Sequence, residues 1–163
     1  MKTLLIVWHS RTGAARQMAE AAARAARPEA GLTTRLVAAT DVQPQDLLAA
    51  DGYLFACPEN LASMSGAMKE MFDRTYYPCL ERLNGRPYAV LIAAGSDGEG
   101  AARQIARIAT GWRLKAIAEP LIFNTNAQTP DAILAEKTLS AAELTPCAEL
   151  GAAMAAGLAL GVF

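Results

Sequence analysis

Apolar runs of strand length alternate along this chain with longer stretches in which alanine is interleaved with arginine, glutamine and glutamate. TLLIVW (Thr3 to Trp8) is apolar without a break, the pattern of a strand covered on both faces. From Gly13 to Arg27 good helix formers dominate, and Pro28 and Gly31 close the run. TTRLVAA (Thr33 to Ala39), GYLFAC (Gly52 to Cys57) and YAVLIAA (Tyr88 to Ala94) predict three more strands. Helical patterns cover Ser65 to Tyr76 and Gly98 to Trp112. LKAIAEPLIF (Leu114 to Phe123) predicts a fifth strand, with Pro120 making its later part irregular or an edge. Thr129-Pro130 and Thr145-Pro146 each read as an N-cap followed by a first-turn proline, predicting a short helix and then a terminal one. No repeat, linker or low-complexity segment interrupts this order. Residues 1–163 therefore read as one α/β domain, doubly wound around a parallel sheet.

In such a sheet ligands bind beyond the carboxyl ends of the strands, where the strand order switches direction. The loops after the first, third and fourth predicted strands carry the chemistry. In HSRTGAA (His9 to Ala15), Ser10 and Thr12 offer hydroxyls, Gly13 permits a tight turn, and the next helix aims its N–H groups and dipole at the loop. That suits a phosphate, although a plain Ser/Thr N-cap has the same residues. Arg11 either adds a charge or faces solvent. Gly-Lys-Ser/Thr is absent, so this is no P-loop, and one glycine is too few for a dinucleotide fingerprint.

The second loop, CPENLASMSGAMKEMFDR (Cys57 to Arg74), follows the third strand. Pro58 stiffens its exit, Asn60 offers a donor and an acceptor, and Ser63, Ser65 and Gly66 leave room for a ring. Glu59 reads as a solvated loop residue and not as a base. Met64, Met68 and Met71 share a helical face and read as core or subunit contact. The third loop, AAGSDGEGAARQ (Ala93 to Gln104), places Gly95, Gly98 and Gly100 where backbone N–H groups can meet a polar heterocycle edge, with Asp97 as a cap for the next helix.

Composition narrows the classes. A formal net charge of -1 gives no basic field for nucleic acid or anionic membrane. Three dispersed cysteines read as reduced thiols of a cytoplasmic protein, with no metal knuckle. A single histidine, His9, has no identifiable catalytic partner and reads as structural; Trp8 and Trp112 read as packing residues. No signal-peptide pattern opens the chain, and the apolar tail from Gly151 to Phe163 is too short to span a bilayer, so it reads as a buried helix.

Taken together, the three loops resemble the flavodoxin-like superfamily, above all its NADPH-dependent FMN reductase branch, in which a Pro-Glu-(Tyr/Asn) loop precedes Ser-x-x-Gly-x-x-Lys. PENLASMSGAMKEMFDR looks very like that motif, and the likeness runs from about Met1 to Leu114. The resemblance implies a three-layer α/β/α fold with a five-stranded parallel sheet in the order 2-1-3-4-5, and FMN as the cofactor. By the same likeness Ser10, Arg11, Thr12, Gly13 and Ala14 hold the phosphate. Pro58, Glu59, Asn60, Leu61 and Met64 line the ribityl chain and one side of the ring, and Ala94, Gly95, Ser96 and Gly98 approach its other edge, with Gly100 as a lesser candidate.

The phosphate loop departs from the Ser/Thr-x-Thr-Gly-x-Thr of flavodoxins at Ala15, a loss on the order of 1 kcal/mol for one hydroxyl contact. The second loop lacks the aromatic residue that stacks on the ring in electron-carrying flavodoxins, which favours an open flavin face. The resemblance thus implies an FMN-dependent NAD(P)H oxidoreductase: reduced nicotinamide gives hydride to the flavin, and a quinone, another flavin or a nitro or azo compound takes the electrons. A homodimer is implied, with the methionine-bearing helix and the apolar tail as candidate surfaces. Two other readings stay open, a flavodoxin-type FMN electron carrier and a flavodoxin-fold binding or regulatory module without flavin.

Overall fold

Leu4, Leu5, Ile6 and Val7 have no exposed surface at all, and the alternation of a strand sends them to two different cores. These four belong to β1 (Lys2–Trp8) of a computed structural model that describes residues 1–163. The elements that follow are α1 (Ala14–Ala26), β2 (Leu32–Ala38), α2 (Pro44–Ala49), β3 (Gly52–Asn60) and β4 (Ser63–Met64). Then come α3 (Gly66–Cys79), β5 (Pro87–Ala94), α4 (Glu99–Gly111), β6 (Lys115–Ala116), β7 (Leu121–Asn124), α5 (Pro130–Leu134) and α6 (Ala141–Leu160).

β1 pairs in parallel with β2 on one side and β3 on the other, and β3 pairs in parallel with β5. β6 and β7 both pair in parallel with β5, at successive stretches of its length. Counting that pair of pieces as one position, the parallel order is the expected 2-1-3-4-5, and the fold is flavodoxin-like α/β. Two details differ from expectation. The fifth strand is broken after Ala116, and of the two outcomes expected beyond Pro120, irregular or an edge, the chain takes the edge: Leu121 to Asn124 pairs with β5 alone and is the longer piece. β3 also runs on through Pro58 to Asn60 and folds back against β4 as an antiparallel hairpin.

On one face of the sheet Phe55, Met68, Met71, Phe72, Ile105 and Trp112 form a core with α2, α3 and α4. The Trp112 ring stacks on Tyr76 and its indole N–H donates to the Tyr76 carbonyl at 3.0 Å, so this residue packs helices as expected. The other face packs on α1 and α6. α2 was not anticipated from its sequence. Asp46 accepts from the Gln43 N–H at its start, and Arg86 donates to the Leu47 and Ala50 carbonyls at its end.

Thr129 caps α5 as expected, accepting from the Ala132 N–H with Pro130 next in line. The second Thr-Pro pair is a correction: Pro146 lies inside α6. The helix starts earlier because Ser140 and Glu143 form a reciprocal capping box, which satisfies two orphan N–H groups where Thr145 would satisfy one.

α1 and α6 meet through small residues. A Cβ added at Gly151 would sit 2.2 Å from the Ala22 carbonyl oxygen, so the helices approach as closely as they do only because that side chain is missing. Alanine is the better helix former by about 1 kcal/mol, yet overpacking here outweighs that gain. Gly151→Ala is expected to lower unfolding stability by about 1–3 kcal/mol in a urea titration, whereas a gain would show that the helix pair is loosely packed.

Candidate functional site

The carboxyl ends of β1, β3, β5 and β7 open on one side of the sheet, and the loops leaving them border a single cleft. After β1 the chain turns through Gly13, whose φ of 99° lies in the left-handed region that glycine enters at no steric cost. The Ser10 hydroxyl accepts from the Gly13 N–H at 3.0 Å and so shapes the turn. The Thr12 carbonyl is taken by the Lys137 N–H at 2.7 Å, and the Gly13 carbonyl is the first acceptor of α1. Ala14 and Ala15 line the cleft with N–H groups that bond to nothing in the chain, as the first turn of a helix leaves them, and Thr12 lines it with an unpaired hydroxyl. Arg11 brings a positive charge to the same end.

The wall opposite is the β3–β4 hairpin. Its two-residue turn, Leu61 and Ala62, has φ of 51° and 62°, the left-handed pair of a type I′ turn, which favours Asn-Gly. Side chains with a Cβ pay about 1–2 kcal/mol per residue for that conformation. Glu59 is not the solvated loop residue expected from the sequence. It accepts from the Gly98 N–H at 2.8 Å and the Ala101 N–H at 3.1 Å, so its carboxylate closes the N-terminus of α4. Asp97 adds a bond from the Glu99 N–H. Gly100 serves this same contact: a Cβ there would lie 2.1 Å from the Ala62 carbonyl oxygen.

Of the expected site residues, Ser10, Arg11, Thr12, Ala14, Pro58, Glu59, Asn60, Ala94 and Gly95 line the cleft, and Gly13 lines a depression adjoining it. Four others do not reach it. Leu61 is fully exposed at the hairpin tip, and Met64 is 3% exposed and packed in the core with Met68 and Met71. Ser96 is off the lining, and Gly98 has its N–H engaged by Glu59. The sequence reading missed the segment after β7, from which Thr125, Ala127, Ile133, Leu134 and Lys137 cover the cleft's remaining side. The Gln17 amide ties this strap to α1, donating to the Lys137 carbonyl at 2.7 Å and accepting from the Leu139 N–H at 3.0 Å. The Thr129-Pro130 cap was a visible sign of α5; nothing local marked Lys137 or Gln17.

Behind the cleft His9 Nδ1 lies 2.9 Å from the Oγ of Ser65, a residue with no exposed surface. Burial, then the charge of Arg11, holds the imidazole below its ordinary pKa. Cys57 is buried beneath, where burial pushes its thiol up to about 12 despite hydrogen bonds from Ser65, leaving it inert. Trp8 is half-buried and packs against the α1–α6 core while edging the depression beside Gly13.

Residues 44–128 match the family model described as NADPH-dependent FMN reductase. The chain belongs to that family. Over 100 residues this FMN reductase family member is 30% identical to a flavodoxin from Aquifex aeolicus (strain VF5), covering 61% of the chain and 54% of the relative. Over 121 residues it is 29% identical to an NAD(P)H dehydrogenase (quinone) from Acidithiobacillus ferrooxidans, covering 61% of the chain and 60% of the relative. The chain thus matches little more than half the length of either. Its fold is also that of a flavodoxin from the domain Archaea, with a TM-score of 0.76 at 17% identity over 96% of this chain and 98% of that one. Family and fold together make FMN the cofactor, and the unpaired donors at the start of α1 fit a phosphate. No helix is long and apolar enough to cross a membrane.

With one histidine in the chain, the imidazole titration is directly readable. Its NMR midpoint is expected below the ordinary 6.5. The unfolded chain then binds the proton more readily than the folded one, so unfolding stability falls as the pH drops through that value. A midpoint above 6.5 would contradict the partial burial and the nearby Arg11 charge that lower it.

Proposed function

We propose that the chain is an FMN-dependent NAD(P)H oxidoreductase whose acceptor is a quinone or a similar small molecule. The observation that carries this reading is the division of the cleft. One end holds free N–H groups, a hydroxyl and a cation; the other is walled by Pro58, Ala93, Ala94 and Gly95; and no aromatic side chain lines it. The first end suits a phosphate and the second a flat ring. The missing aromatic leaves a ring face open to a second planar molecule.

The bound FMN supplies the redox chemistry, as cofactors do. Overall, NAD(P)H gives up a hydride, and a quinone takes its two electrons together with that hydrogen and one proton from water, leaving NAD(P)⁺ and the quinol. The protein's part is binding and orientation. The Ala14 and Ala15 N–H groups, the Thr12 hydroxyl and Arg11 hold the phosphate, while Ser10 keeps the loop turned toward it. Asn60 and the backbone of Ala94 and Gly95 face the ring edge, and Pro58 and Glu59 form the wall beside it. No side chain is required as acid or base; His9 is held by Ser65 behind the loop.

A homodimer accompanies this reading. The methionine helix and the apolar tail bury Met68, Met71, Met154 and Leu158 in the chain's own cores but leave Tyr77, Leu160 and Val162 exposed as surface a second copy would cover. Leu61 and Leu134 are exposed as well, at the hairpin tip and on α5, and add to that surface.

Two measurements test the proposal. Purified protein saturated with FMN and freed of excess should keep flavin absorbance that bleaches under anaerobic NADPH or NADH. Retained flavin that does not bleach would make it an electron carrier, and no retained flavin would end the reading. Thr12→Val should weaken FMN binding about tenfold, the worth of one hydrogen bond to a charged group, and leave riboflavin binding unchanged because riboflavin has no phosphate. An equal loss for both ligands would place the phosphate elsewhere.

A further inference from the structure

Gln104 lies on α4, is exposed, and lines neither the cleft nor the depression beside it. Its side-chain oxygen nevertheless accepts from the Met64 N–H at 2.9 Å and from the Ser63 hydroxyl at 3.1 Å. Both donors belong to the returning arm of the β3–β4 hairpin. One helical turn earlier, Glu59 fixes the outgoing arm to the same helix through Gly98 and Ala101. Between the two clamps lie Leu61 and Ala62, in a left-handed turn that neither residue favours by itself.

We propose that Gln104 is a positioning residue: by holding the strained hairpin onto α4 it keeps Pro58, Glu59 and Asn60 as a preformed wall of the flavin cleft. This rests on the reading that FMN occupies that cleft. A hairpin whose turn is locally unfavourable needs an outside contact to stay in one conformation, and a wall already in place spares the ligand the cost of ordering it. Both bonds use the oxygen of Gln104 as acceptor, so a glutamate can make the same pair, whereas an alanine can make neither.

The test compares the wild type, Gln104→Ala and Gln104→Glu by FMN fluorescence titration and by hydrogen exchange of the Met64 amide without flavin. Gln104 is exposed on a helix, so the alanine variant is expected to fold, and circular dichroism checks this. The expected result is an FMN dissociation constant about tenfold higher for Gln104→Ala, faster exchange at Met64, and near wild-type behaviour of Gln104→Glu in both assays. Wild-type protein that binds FMN while Gln104→Ala binds it equally well would overturn the positioning role. So would weaker binding that Gln104→Glu fails to restore, or weaker binding with no change in Met64 exchange. Failure of the wild type to bind FMN would instead overturn the flavin reading and, with it, this inference.

Discussion

Burial of the β1–β3 pair on both faces is the constraint on which the rest of the molecule depends. Leu4 and Ile6 need one covering layer and Leu5 and Val7 another, so helices must cross to either side of the sheet between successive strands. Parallel strands then all finish at the same edge, and the loops that leave the sheet there are brought together. The cleft follows from that geometry. The turn at Gly13, the hairpin at Leu61, the Gly95 loop and the segment after β7 meet because their strands run side by side in one direction.

The long helices α1, α3 and α4 begin at this edge, each with a positive end, and of the three only α1 lends its first residues to the cleft lining. Their fates differ. The N-terminus of α4 is answered from within the chain by the Glu59 carboxylate and the Asp97 side chain. The N-terminus of α1 receives only the Ser10 hydroxyl at Gly13, leaving Ala14 and Ala15 to face the cleft. An anionic ligand therefore has one favoured end, and its direction in the cleft is decided before any ring contact is made. The glutamate that orients the ligand in this way also anchors the hairpin, so polarity and shape share one side chain.

The fold was legible because its signals are local. An unbroken apolar run at Thr3 to Trp8, helix formers after Gly13 and the strand-to-helix rhythm suffice for a doubly wound sheet, and the Thr129 cap was read from two residues. The Thr145-Pro146 pair misled because the competing capping box at Ser140 and Glu143 lies just upstream and satisfies more of the helix end. In the candidate site, residues that belong to the loops themselves (Ser10, Thr12, Gly13, Asn60) were legible as neighbours of the cleft. Those whose role depends on a distant partner were not. Gln17 meets Lys137 and Leu139 across more than a hundred residues of chain, Gln104 acts between elements, and Glu59, expected beside the cleft, was not read as the cap of α4. A polar residue on an amphipathic helix has the same appearance in sequence whether it faces water or holds a loop. Met64 carried two readings, core by its spacing with Met68 and Met71 and ring wall by resemblance, and it packs in the core.

On the proposed reading of the α1 end as the phosphate site, the alanine at position 15 takes the place of a hydroxyl. Ala15 is 1% exposed and packed with Met18 and Ala19 against α6, so its side chain belongs to the core that fixes α1 in place. Its N–H is still unpaired at the cleft lining, and the N–H is the part of the residue that an oxyanion meets in any case. What the loop loses in one donor it recovers in rigidity. Gly151 lets α6 press directly on Ala22, and Gln17 fastens the strap to the first turn. Donors that cannot drift need little reorganisation when the ligand arrives. A soft loop with one more hydroxyl would have no such advantage. The small residues of α1 and α6, which bear no chemistry, therefore shape the cleft through the position they impose on α1.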